Sequence, residues 1–319
     1  MLARLLFKDD RLRPWLRVII YIAAALVAQF GLAFFVAAIY QAIYGPRAMF
    51  MRTPILLDEF IVTIAVVGAA IVLRIFLDRR SVASLGLGFG PPPPGSSRSQ
   101  QYLSALGLFV VGFAFGAGMQ LLVFAILLAF HQTNVFDVRF NATVGYQMLM
   151  WTAIFFIAAL SEEYPLRGYI LQNLWEEWGF WPAAIVTSIL FAALHVKNPY
   201  FGDLPWLTIL NIAVDGIWAC CAVLWTRSLW LPWAAHFAWN LFEGPVLGRA
   251  VSGINTGVSI VVQNPIGDPF ITGGRFGPEA GIVVLIAEVV GLFVLYLLYR
   301  RGVFARAPDA RGPYAVAHA

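Results

Sequence analysis

Apolar residues run along this chain in blocks long enough to cross a membrane, separated by polar or Gly/Pro-rich stretches. Crossing the hydrocarbon core as a helix takes about 20 predominantly apolar residues. Five blocks meet that standard: 16–43, 57–77, 103–130, 206–226 and 281–299. Three more, 147–174, 181–196 and 229–243, are shorter or interrupted by polar side chains. Such interruptions suit helices that face protein rather than lipid. The pattern predicts an all-α polytopic membrane protein, a bundle of about eight transmembrane helices with a polar site inside the bundle. An even number of spans puts both termini on one side.

Composition agrees with this reading. The chain of 319 residues is 61% hydrophobic and only 12% charged. A soluble domain carries about 25% charged residues. The length alone would suggest two soluble domains, but the composition points to one membrane bundle. The first sixteen residues hold Arg4, Lys8, Arg11 and Arg13 with no cleavage-like site, so the first span is expected to be an uncleaved anchor.

The net charge of +4 is explained by basic residues flanking the spans, which excludes nucleic acid as the expected partner. Twelve Lys and Arg fall on the side of the termini, from Arg4 and Lys8 to Arg306 and Arg311. Six fall on the other side: Arg47, Arg52, Arg139, Lys197, Arg249 and Arg275. That bias predicts cytoplasmic termini in an integral membrane protein. Cys220 and Cys221 are adjacent and mid-span, with neither disulfide nor metal-site spacing.

Three regions are expected along the chain. Residues 1–144 hold the first three spans and a Pro-rich linker at 88–99. Residues 145–245 hold the polar spans. Residues 246–319 hold a loop, the last span and a basic tail. The Gly/Pro-rich stretch 244–280 reads as either a lid or a connector.

The polar residues within the interrupted spans fall into three groups. They are Glu162-Glu163 with Arg167, Phe191 with His195, and His236 with Asn240. Charged groups at membrane depth cost roughly 2.5–3.5 kcal/mol each on insertion scales and mark functional sites. A hairpin turn is expected at Trp178-Gly179-Phe180. Glu162 and His195 lie equally far from it, each roughly 24 Å away at 1.5 Å per residue, so they can meet. His236 and Asn240 share one helix face. Glu163 and Arg167 have the spacing and order of a helical ion pair, which turns Glu162 away toward a cavity. Pro165 removes a backbone hydrogen bond beside the glutamates and is expected to kink the helix.

Two chemistries use these groups. In one, His195, His236 and Glu162 hold zinc, the second glutamate acts as base, and metal-bound water attacks an amide. In the other, Glu162 takes a proton from water with His195, while His236 and Asn240 steady the oxyanion. Asp215 and Glu288 also lie in spans without a motif partner and read first as structural or cavity-lining groups. A non-catalytic binding or immunity module of the same fold is the competing reading. A midplane ion transporter is a third.

At these residues the chain resembles the CPBP family (CAAX-protease and bacteriocin-processing) of intramembrane metalloproteases, marked by Glu-Glu-x-x-x-Arg, Phe-x-x-x-His and His-x-x-x-Asn. All three motifs stand in order, and the resemblance covers about residues 145–245. The stretch Thr272-Gly273-Gly274-Arg275-Phe276-Gly277-Pro278-Glu279 is also similar to bacterial members, a resemblance that implies a bacterial inner membrane as its location. The resemblance implies an eight-helix membrane endopeptidase acting on a membrane-associated protein or peptide. It implies Glu162 as water-activating base, with His195, His236 and Asn240 as metal ligands or oxyanion partners. Glu163 and Arg167 would support the site, and zinc would be the cofactor.

Overall fold

The computed structural model describes residues 6–8, 11–45, 54–88 and 98–304. The Pro91–Pro94 linker, Arg4, Arg47, Arg52 and the basic tail with Arg306 and Arg311 lie outside the described residues. The helices are α1 (Pro14–Tyr44), α2 (Ile55–Phe76), α3 (Arg98–Ala129), α4 (Ala142–Glu163), α5 (Leu171–Trp178), α6 (Phe180–Leu194), α7 (Pro205–Thr226), α8 (Trp230–Leu241), the single turn α9 (Pro269–Thr272), and α10 (Ile282–Arg300). The chain is nearly all α, as expected. Among the described residues, six helical stretches are long and apolar enough to cross a membrane, with α4 and α5 joined into one. The shorter α6 and α8 fall where the interrupted blocks were read.

Burial is inverted relative to a soluble protein. Phe30, Phe34 and Phe76 are more than 70% exposed on the outer helix faces. Arg74, Asp78, Glu163, Arg167, Glu243 and Glu288 are buried between helices. Lipid solvates the first group, and only other protein groups or trapped water can solvate the second.

The ends of the helices sort into two poles. The segment before α1, the 77–88 connection, and the Gly179 and Arg227–Leu229 turns gather at one pole. Arg13 bonds Glu177, Arg80 bonds Glu176, and Leu229 N–H donates to the Gly86 carbonyl. At the other pole, Thr133–Val138 pairs antiparallel with Val261–Pro265, a two-stranded ribbon the helical reading missed. These strands bind each other at the bundle's end, where an apolar-block search has nothing to detect.

The most extensive helix contact among the described residues brings α3 onto α8. Gly112 and Gly116 make it possible: a Cβ on either would overlap the backbone carbonyl of Leu231 or Ala235. Small residues four apart let helix backbones approach in a lipid solvent, where no hydrophobic drive exists between helices. This contact fixes α8, the carrier of His236 and Asn240.

Two helices widen beside their motifs. Tyr164–Ile170 winds as a π-helix between α4 and α5, and Leu171 N–H reaches back five residues to the Leu166 carbonyl. Phe242–Val246 does the same after α8, and Leu247 N–H bonds the Phe242 carbonyl. Pro165 and Pro245 are the local cause. Each lacks the N–H that a carbonyl four residues back requires, and each ring crowds that carbonyl. The expected kink at Pro165 is thus a π-segment, a form that concentrates at functional sites.

Candidate active site

Glu162 and Glu163 close α4, and their side chains diverge as the helical spacing predicts. Glu163 turns inward and is 1% exposed. Its Oε1 accepts from Arg167 Nη1 at 2.9 Å and from His236 Nδ1 at 3.0 Å. The predicted ion pair is therefore formed, and it also anchors the second histidine. Glu162 faces the cavity. Its Oε2 lies 3.8 Å from His236 Nε2 and has no hydrogen-bond partner.

His195 caps the C-terminal end of α6, and its Nδ1–H donates to the Phe191 carbonyl at 2.9 Å. A carbonyl only accepts, so the proton sits on Nδ1 and the Nε2 lone pair is left for the cavity. His236 has the same arrangement, with Glu163 as the acceptor. A histidine fixed through one nitrogen by a carbonyl or carboxylate is held in tautomer and orientation. The histidine beside the two glutamates is His236, whereas the equal-depth argument brought His195 to Glu162. Both histidines line the same cavity as Glu162.

Phe191 joins the three motifs. The Arg167 guanidinium stacks over its ring at 4.4 Å, and its ring meets His195 at 5.0 Å and His236 at 5.9 Å, both nearly edge-on. The apolar residue of the Phe-x-x-x-His motif thus positions polar residues from three helices.

The cavity holds about 360 Å³ and is lined by all three motifs: Glu162, Glu163, Phe191, His195, His236 and Asn240. Asn240, one turn beyond His236, is buried there. Arg167 stands behind, in contact with Glu163 and Phe191. Further wall residues lie outside the three motifs: Glu59 from α2, Trp151 from α4, Asp215 and Trp218 from α7, Ser252 from the 244–280 stretch, and Glu279 at the end of the Thr272–Glu279 segment.

That stretch is a folded wall of the site and not a bare connector. Trp151 Nε1 donates to the Thr256 carbonyl, Arg249 Nη2 to the Thr272 carbonyl, and Ser252 Oγ to Glu279 Oε2. Gly253 and Gly277, at φ +84° and +115°, carry it against the Pro199 and Ala250 carbonyls, where a Cβ would not fit. Buried Arg249 has its pKa held down to about 10 by desolvation, with the Glu243 carboxylate opposing. It keeps its charge at neutral pH.

For zinc, the donors are of the right kind: two imidazole nitrogens and a buried carboxylate oxygen without a partner. Among the described residues, no three His, Cys, Asp or Glu side chains are gathered at metal-binding reach. Glu162 Oε2 and His236 Nε2, at 3.8 Å, come nearest to sharing an ion.

Residues 144–242 match the family model described as Type II CAAX prenyl endopeptidase Rce1-like. The match contains all three motifs and bears out the resemblance drawn from them. It supports a protease. No curated protein and no solved structure matches the chain.

Proposed function

We propose that this protein is an intramembrane endopeptidase that hydrolyses a peptide bond of a membrane-associated protein or peptide, with Glu162 as the base that activates water. The observation that carries this reading is the unpartnered Glu162 Oε2, held in a cavity opposite His236 Nε2. A buried carboxylate oxygen left without a donor costs about 1–3 kcal/mol or more, and its position suits a group whose partner is a reactant.

A water between Glu162 Oε2 and His236 Nε2 donates one proton to each and is thereby oriented. Glu162 takes its proton as the oxygen attacks the scissile carbonyl. The amide N–H of Asn240 meets the charge that develops on the carbonyl oxygen. Glu162 then passes the proton to the departing amine, which breaks the C–N bond. Glu163 and Arg167 touch no reactant in this scheme. They hold His236 in its tautomer and Phe191 in its place.

If zinc is bound, Glu162, His195 and His236 would hold it, and it would supply a Lewis acid that polarises the carbonyl and eases water deprotonation. Metal analysis tests this apart from activity. The purified protein should carry about one zinc per chain, the single-ion occupancy of such sites. His195→Ala and His236→Ala should lose it. A metal-free, active wild type would leave the activation to the side chains alone.

The test of the function is a comparison of protein and peptide termini in membranes carrying the wild type or Glu162→Gln. New termini found only with the wild type establish the protease and identify its substrate and bond together. Identical termini, with both proteins folded and equally abundant, would favour a binding module of the same fold.

A further inference from the structure

Part of the cavity wall is acidic. Asp215 comes from α7, Glu279 from the turn before α10, and Glu288 from α10. Glu279 is engaged: Oε1 accepts from Trp239 Nε1 at 3.3 Å and Oε2 from Ser252 Oγ at 2.6 Å. Glu288 is not. It is 2% exposed, lines the cavity, stands within electrostatic reach of Asp215 and Glu279, and its Oε2 has no hydrogen-bond partner.

No Lys or Arg is among the described residues lining this cavity. The indoles of Trp218 and Trp239 line it, and Trp218 Nε1 is also without a partner. Carboxylates beside indole rings are the chemistry that recognises an ammonium or guanidinium group. A buried carboxyl with no internal donor either keeps its proton or ionises against a cation that another molecule supplies.

We propose that Asp215, Glu279 and Glu288 form a subsite for a cationic group of the substrate, a Lys or Arg side chain close to the bond that is cut. The proposal rests on the protease reading for its meaning as a specificity pocket. Its position follows from α8. His236 faces the water-activating end, and Trp239, three residues on, bonds Glu279. Three residues of helix rise about 4.5 Å, and an extended peptide advances about 3.3–3.6 Å per residue. The basic residue therefore lies one or two positions from the scissile bond.

Binding of dansylcadaverine, an amphiphilic primary amine, and of its neutral N-acetylated form tests the subsite without any cleavage. The protein is the full chain in lipid nanodiscs, as wild type, Glu162→Gln and Glu288→Gln. Wild type and Glu162→Gln should bind the amine at least about ten-fold more tightly than the acetylated form, as a charge-assisted pair requires. Glu288→Gln should lose that preference. Equal binding of the two probes to the wild type overturns the proposal, even if the variant fails to fold. A preference kept intact in Glu288→Gln also overturns it. If termini are unchanged in Glu162→Gln while the amine preference holds, the protease reading falls and the cation site stands.

Discussion

Two buried polar clusters lie in this bundle, and they are built in opposite ways. At the pole of the N-terminal segment, Asp78 is surrounded by donors. It accepts from Arg74 Nη1 at 2.9 Å, Tyr169 OH at 3.2 Å and Asn173 Nδ2 at 3.3 Å, with Arg17 Nη1 at 3.9 Å. Arg74 spends its other nitrogens on Ser84 Oγ and Gln172 Oε1. At the cavity, by contrast, Glu162 Oε2, Glu163 Oε2, Glu288 Oε2 and Trp218 Nε1 on its wall, and two nitrogens of Arg167 behind it, are left without partners. Both clusters are costly at this depth. One recovers most of the cost inside the protein by joining α1, α2 and α5, leaving Arg17 Nη1 and Asn173 Oδ1 without hydrogen bonds. The other keeps unused hydrogen-bonding capacity, which a reactant or substrate can take up.

That difference predicts which substitutions damage the fold and which damage the chemistry. Asp78→Ala strands two buried arginines and should cost about 3–5 kcal/mol of stability. Thermal unfolding in detergent measures it, and an unchanged midpoint would break the comparison. Glu162→Gln should lower the cleavage rate about 10²–10⁴-fold, the usual contribution of a general base, while leaving unfolding unchanged. A fold defect there would mean that the glutamate is structural.

Gly116→Ala forces α8 away from α3 and should cost about 1–3 kcal/mol, as overpacking does. It should also reduce activity, because α8 carries His236 and Asn240. Losing stability without activity would show that the α3 contact does not position the site. The smallest effect is expected at the exposed Arg275–Asp203 pair, where Arg275→Ala should change stability by under about 1 kcal/mol. A larger loss would show that the 244–281 wall depends on that pair.

Much of this was legible in the sequence, and the reason is chemical. The apolar blocks located the helices because lipid solvates only apolar side chains. The Glu163–Arg167 pair followed from four-residue spacing, which places two side chains on one helix face. Pro165 announced a distortion, though not its π form, because the missing N–H does not say how the helix recovers. The Gly112 and Gly116 spacing was available as a packing signal. The ribbon of Thr133–Val138 with Val261–Pro265 was not, because its partners lie far apart in sequence and neither has strong alternation.

The sequence by itself determined the helices, their order, and the three motifs whose residue types can activate water. Local spacing suffices for these, since each depends on one helix or one solvent preference. Only the tertiary structure decided that His236, not His195, stands beside the glutamates, that Phe191 joins all three motifs, and that Asp215, Glu279 and Glu288 share a cavity wall. Those facts depend on the rotation of one helix against another and on the path of a long loop. Both are set by packing across the whole bundle, which no single stretch of chain encodes.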